Sequence, residues 1–263
     1  MINSMQTALI KKDLRSITSN KRMFSVLLIV PLVMVVMLPS IFILAILFDP
    51  SGASDLEPML ELLPNGAQSG NVTQAIIGLV LNSILPVFFL IIPIMAASVM
   101  AASSFVGEKE KRTLETLLYC PLSLREIFIA KVLASFLLSM LVSLISFLVM
   151  ILVVEVEIII VTGGMVLPGI SWLILMLLVS PALSLIAITL IVRGSAKAQT
   201  MEESQQRSVF LILPVILLAV GQFTGIMLVN VWILLALGII LAAVALLSMR
   251  GSFTRFDYET LLK

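Results

Sequence analysis

The chain contains no histidine and a single cysteine, Cys120, among 263 residues. The first absence excludes imidazole acid–base catalysis and histidine metal ligation, and the second excludes an intrachain disulfide. Charge is also scarce, at 12% of residues, where a soluble domain carries about a quarter. No G-x-x-x-x-G-K-[ST] phosphate loop occurs anywhere, so the chain lacks that means of holding a nucleotide. What remains is apolar: 60% of residues are hydrophobic, which excludes a water-soluble globule. The apolar residues fall into six blocks, Met23–Phe48, Thr73–Phe105, Val132–Val154, Met165–Val192, Val209–Leu228 and Val231–Met249. Each is close to or above the roughly 20 residues that a helix needs to cross a bilayer. The fold class expected is all-α, a polytopic membrane protein of six transmembrane helices forming one domain over residues 1–263.

Charge placement orients the bundle. The 16 basic residues lie before the first block, between blocks two and three, between blocks four and five, and after the sixth. With six spans all four places share one side, and the three remaining loops hold no Lys or Arg. The net +1 divides into +7 on the basic side and −6 opposite, where Asp49, Asp55, Glu57, Glu61, Glu155 and Glu157 lie. The positive-inside rule then places both termini in the cytoplasm of a multi-pass plasma-membrane protein. The first block is too long, and too far from the N-terminus, to read as a cleaved signal. Cys120 falls on the cytoplasmic side, where a reduced packing thiol is expected.

Residues 1–22 suit an amphipathic helix in the membrane interface, with Ile2, Met5, Leu9, Ile10, Leu14 and Ile17 apolar and Lys11, Lys12 and Arg15 between them. A loose polar leader is the alternative. Pro31, Pro39, Pro86 and Pro93 interrupt the first two spans and predict bends there. Ser135, Ser139, Ser143 and Ser146 follow one face of the third span, and a helix-packing stripe is favoured over a polar substrate track. Gly221, Gln222 and Gly225 form a GxxxG pattern that suits close packing or a path. Glu155 and Glu157 read as the water boundary of the third span. Asn71-Val72-Thr73 matches a glycosylation acceptor but abuts the membrane. No block has an ionisable residue near its middle, unlike a proton relay or many ion-coupled carriers.

The cytoplasmic loop at 107–127 is polar yet patterned. Leu114, Leu117 and Leu118 make one apolar edge flanked by charges, and Pro121 ends that helix. Ser123 with Glu126 three residues later reads as a capping box that starts the next helix. Such a short helix, joined rigidly to two spans, could pass a push from a soluble partner to both; a solvated charged loop is the plainer alternative.

The run Glu108 to Lys131 resembles the E-K-E-x-x-T-L-E-x-L-L-x-x-P-x-S-x-x-E-I-x-x-x-K pattern of type-2 ATP-binding-cassette (ABC) permeases. It matches at Glu108, Lys109, Glu110, Thr113, Leu114, Glu115, Leu117, Leu118, Pro121, Ser123, Glu126, Ile127 and Lys131. Lys11 to Arg15, Ser195 to Gln199 and Phe256 to Leu262 are similar to that family as well. The resemblance implies a six-helix exporter subunit that pairs with a second copy or a paralogue and docks ABC ATPase subunits. The ATPase would be a separate polypeptide carrying the ATP and Mg, with no cofactor bound by this chain. By position, Glu108, Arg112, Thr113, Leu114, Glu115 and Leu117 would couple to the ATPase. Membrane lipids are expected partners and nucleic acid is not. A peptide such as a lantibiotic, a drug or a lipid would each suit the few polar handles in the spans.

Three other readings compete. Glu202-Glu203-Ser204-Gln205-Gln206-Arg207 matches the E-E-x-x-x-R of an intramembrane protease family, but those enzymes also need histidines. A stand-alone carrier or channel would call for mid-membrane charge or an internal repeat, and neither is found. A membrane anchor for a regulatory partner is the third.

Overall fold

The computed structural model describes residues 4–48, 72–111, 113, 121–166, 168–195, 198–206, 208–223 and 231–253. Helices account for nearly all of them, and no strand occurs among the described residues. Six helical stretches are long and apolar enough to cross a membrane: Met23–Ile46, Ala75–Glu110, Leu124–Ile160, Ile170–Ser195, Met201–Gln222 and Val231–Gly251.

Helix α1 (Ser4–Ser19) precedes the first span, α2 (Lys21–Phe48). Gln6, Leu9, Asp13 and Ile17 form the buried face of α1, at helical spacing. Met5, one of the apolar residues of this stretch, is exposed. Pro31 and Pro39 lie inside α2.

The second span is built from pieces. Helices α3 (Val72–Leu79), α4 (Leu85–Phe89), α5 (Ile91–Ala101) and α6 (Gly107–Glu110) are joined by π-helical turns at Val80–Ile84 and Ala102–Val106. Pro86 begins just after the first π-turn; a proline has no N–H for the helical ladder, and a π-turn is one way the chain accommodates that. The third span, α7 (Leu124–Thr162), is 39 residues long and extends beyond its apolar block at both ends. At 1.5 Å per residue it measures about 58 Å, roughly twice a hydrocarbon core. Ser123 caps its start, its hydroxyl accepting from the Glu126 N–H while the Glu126 carboxylate accepts from the Ser123 N–H at 2.9 Å. Gly163, at φ 68°, ends it in the left-handed conformation that glycine adopts without penalty.

The fourth span runs through α8 (Ile170–Ile174), a π-turn at Leu175–Val179 and α9 (Ser180–Ser195). Short α10 (Met201–Gln206) leads to α11 (Val209–Phe223), and α12 (Val231–Phe253) closes the described chain. α5 lies between α7 and α9; α7 also meets α1 and α2, and α9 meets α12. The second and fourth spans are mostly buried, whereas the first, fifth and sixth turn most of their surface outward. On α2 that outward surface is a stripe of Ile29, Val33, Met37, Ile41 and Leu44, the face a bilayer would cover.

The helix ends refine two sequence readings. Glu155 and Glu157 stand at the edge of the third apolar block, and α7 continues past them to Thr162. Glu157 accepts a hydrogen bond from Ser40 of α2, and both Glu155 carboxylate oxygens are buried without a hydrogen-bond partner. The loop expected from Gly107 likewise starts later, since Gly107–Glu110 is the last turn of the second span.

Candidate functional site

At the basic end of the bundle, α1, α6 and α7 bring four charged side chains together. Lys131 projects from the first third of α7 and is 2% exposed. A cation there is desolvated, and a buried charge persists only where it is paired. Glu108 of α6 supplies the pairing: its Oε2 lies 2.8 Å from Lys131 Nζ. Its other oxygen accepts a hydrogen bond from Lys12 Nζ of α1 at 2.5 Å. Asp13, next to Lys12 and buried, places one oxygen 3.8 Å from Lys131 Nζ and the other 3.8 Å from Lys12 Nζ.

The π-turn at Ala102–Val106 completes the set. It brings Ser104 to the site, where the Ser104 hydroxyl donates to Asp13 Oδ2 at 2.7 Å and Lys131 Nζ donates to the Ser104 carbonyl. The Phe105 ring centroid lies 5.5 Å from Lys131 Nζ, and Phe105 packs edge-on against Phe128, 5.9 Å between centroids. Two cations and two anions give a neutral cluster with most of its hydrogen-bonding capacity met by protein. Lys12 is by far the most exposed of the four, its side chain being 53% exposed. A cavity of about 670 Å³ opens beside the cluster, lined by Leu9, Ile17, Ser103, Lys111 and Leu122 among others.

Among the described residues no three His, Cys, Asp or Glu side chains converge as metal ligands would. The cluster ties the helix before the first span to the last turn of the second span and to the first third of α7.

Of the sequence candidates for coupling, Glu108 is buried inside this cluster and Thr113 bonds back to the second span, its N–H donating to the Glu108 carbonyl at 2.9 Å. Arg112, Leu114, Glu115 and Leu117 lie outside the described residues, as do Cys120, Gly225 and the closing 254–263 stretch. Ser135, Ser139, Ser143 and Ser146 are all fully buried along α7, and the Ser139 and Ser143 hydroxyls bond to carbonyls of α7 itself. Gln222 is fully buried, with neither end of its amide hydrogen-bonded. In the E-E-x-x-x-R stretch, the Glu203 carboxylate accepts from the Gln199 N–H at the start of α10.

Asp13, Ser104 and Lys131 were not singled out by sequence reasoning as site residues. A signal existed for two of them. Asp13 is four residues from both Leu9 and Ile17, and Lys131 is four from Ile127, so each charge interrupts a buried apolar face.

The model of the ABC-2 family transporter protein matches residues 7–228, which takes in most of α1, the cluster and the first five spans. The chain belongs to the ABC-2 transporter family. It is thus a membrane transport subunit rather than an enzyme, of a kind that works with an ABC ATPase subunit. No curated protein and no solved structure gives a match to it. Within the ABC-2 match, Glu108 and Lys131 stand at the two ends of the charged loop motif and meet in space.

Proposed function

We propose that this chain is the membrane-spanning half of an ATP-driven exporter, acting with a second permease copy or a paralogue and with separate ATPase subunits that bind ATP and Mg. The observation that carries the reading is the Glu108–Lys131 pair, with Asp13 and Lys12 against it. A loop whose two ends are locked together moves as one piece. A force on the 112–120 segment then reaches spans two and three, and α1, without being lost in local bending. Spans two and three would tilt as the ATPase subunits close, exchanging inward for outward access, a two-state element biased by nucleotide. In this reading the basic side is cytoplasmic, the domain covers 1–263, and Arg112, Thr113, Leu114, Glu115 and Leu117 meet the ATPase while Glu108 holds the loop from within. Hydrophobic peptides, drugs and lipids suit spans whose polar handles are few.

The rival carrier would need an ionisable group in mid-membrane. Lys131 and Glu155 stand about 36 Å apart along α7, which puts the charged groups toward the two ends of the third span. Charge reversal at Glu115 or Arg112 tests the coupling. The expected result is loss of ATPase co-purification, or a drop of about tenfold or more in substrate-stimulated hydrolysis. Unchanged assembly and hydrolysis would remove the coupling assignment, and repeated failure to recover any ATPase with the chain would remove the exporter reading.

A further inference from the structure

The outer π-turn of the second span leaves a carbonyl that its own helix cannot satisfy. At Val80–Ile84 the Leu85 N–H bonds to the Val80 carbonyl, five residues back. In an α-helix that N–H would serve the Leu81 carbonyl. The next donor along the ladder would be residue 86, which is Pro86 and has no N–H. Leu81 therefore has neither an α-type nor a π-type partner in its own chain segment, in a place shut off from water. The donor comes from another span. Trp172 Nε1 of α8 donates to the Leu81 carbonyl at 3.0 Å, and the whole side chain is buried. The indole is held in place by Phe89 and Phe147, at centroid distances of 5.5 and 5.4 Å. One residue further along the same turn, Asn82 Oδ1 accepts from the Gly169 N–H at 2.6 Å, immediately before α8 begins. A Cβ at Gly169 would sit 3.0 Å from that oxygen, so a larger residue there requires the Asn82 side chain to give way.

We propose that Trp172 is a positioning residue for the second span: its indole N–H replaces the backbone donor that Pro86 lacks, fixes the π-turn at Val80–Ile84, and lets go when spans two and four move apart during transport. The last step rests on the transport reading above; the first two do not. At this turn the second span is held by the fourth span rather than by its own ladder. At the opposite π-turn a side chain from another span also reaches a backbone carbonyl, Lys131 Nζ of the third span donating to that of Ser104. A bond between spans can open without unwinding either helix, whereas a bond within the ladder cannot.

The test uses the full chain in lipid nanodiscs. The protein has two tryptophans, Trp172 and Trp232, so 15N-indole labelling gives two N–H resonances. The Trp172 indole proton is expected downfield and slower to exchange with deuterium than that of Trp232, which is 75% exposed, by more than about tenfold. Equal exchange would overturn the bond. Trp172→Phe keeps a ring against Phe89 and Phe147 but removes the donor, and is expected to lower the unfolding midpoint by about 2–4 °C. Pro86→Ala in that background supplies an N–H to Leu81 and is expected to restore the midpoint. A role in packing alone predicts no rescue, and absence of rescue sinks the proposal. With the ATPase subunits and ATP added, the Trp172 resonance is expected to shift; an unchanged resonance during turnover removes the release step. Should no ATPase assemble, the transport reading falls, while exchange and rescue still decide the role of Trp172.

Discussion

Lys131 is a lysine in a place that lysine seldom occupies. Its ammonium group is almost wholly buried, on a helix that is otherwise apolar around it, and it is tolerated because two carboxylates, a hydroxyl and an aromatic ring surround it. Such a group is costly to strip of its partners and much less costly to remove together with them. Lys131→Met is therefore expected to destabilise the protein by about 3–5 kcal/mol, since Asp13 and Glu108 would then share only the half-exposed Lys12. Adding Glu108→Gln to Lys131→Met should recover part of that loss, because one uncompensated carboxylate disappears. Urea or thermal unfolding in detergent measures both, and strictly additive losses would show that the two groups are not coupled. Lys12→Ala should cost no more than about 1 kcal/mol, because an ion pair that reaches water gains little. The pairing of Glu108 with Lys131 was half legible, for both stand in the loop motif. Nothing in the sequence said that they meet, since that follows from the antiparallel course of two helices leaving one loop. Asp13 was less legible still, coming from a helix some 90 residues away in sequence.

Among the elements, the second span departs most from a regular helix. Prolines predicted bends in the first two spans; α2 stays one continuous helix through Pro31 and Pro39, whereas the second span has π-turns and a break at Leu90. The fourth span uses the same device, with a π-turn at Leu175–Val179 followed by Pro181. In both cases the proline stands six residues after the first residue of the turn, a spacing that can be read from sequence once its meaning is known. The sixth span packs tightly on the fourth-span turn. A Cβ at Gly238 of α12 would lie 2.6 Å from Leu178 Cδ2 and 2.9 Å from its Cγ. Gly238→Val is accordingly expected to cost about 1–3 kcal/mol by overpacking, read as a lower unfolding midpoint, while Gly238→Ala costs less. If the Gly238→Val protein unfolds at the wild-type temperature, the two helices are not in the contact described. The span boundaries moved for a related reason. Hydropathy marks where side chains are apolar, but α7 runs past its block at both ends because Ser123 starts it and Gly163 stops it.

For the whole molecule, an ABC-2 transport subunit of six apolar helices has an inside and an outside, and the proposed assignment puts the basic side in the cytoplasm. The single cysteine makes the assignment testable without mutation. Cys120 is expected to react with a membrane-impermeant maleimide in inside-out vesicles and to stay unlabelled in intact cells. Labelling from outside would invert the topology. The outward surfaces of the first, fifth and sixth spans leave room for lipid and for a second permease around the same bundle. Blue-native electrophoresis or light scattering in nanodiscs should give a species of two chains, and a strictly monomeric active assembly would contradict the proposed pairing.

The sequence by itself determined the number of spans, the side on which charge collects, the cap of the third span and the family, because each depends on composition or on residues near one another along the chain. The tertiary structure decided what the scattered polar residues are for. Lys12, Asp13, Glu108 and Lys131 become one neutral cluster, and Trp172 becomes the donor that Leu81 lacks, only when helices distant in sequence are packed together. The physical reason is that an apolar interior supplies no water. Each buried charge or carbonyl must then find its partner on whichever helix lies beside it.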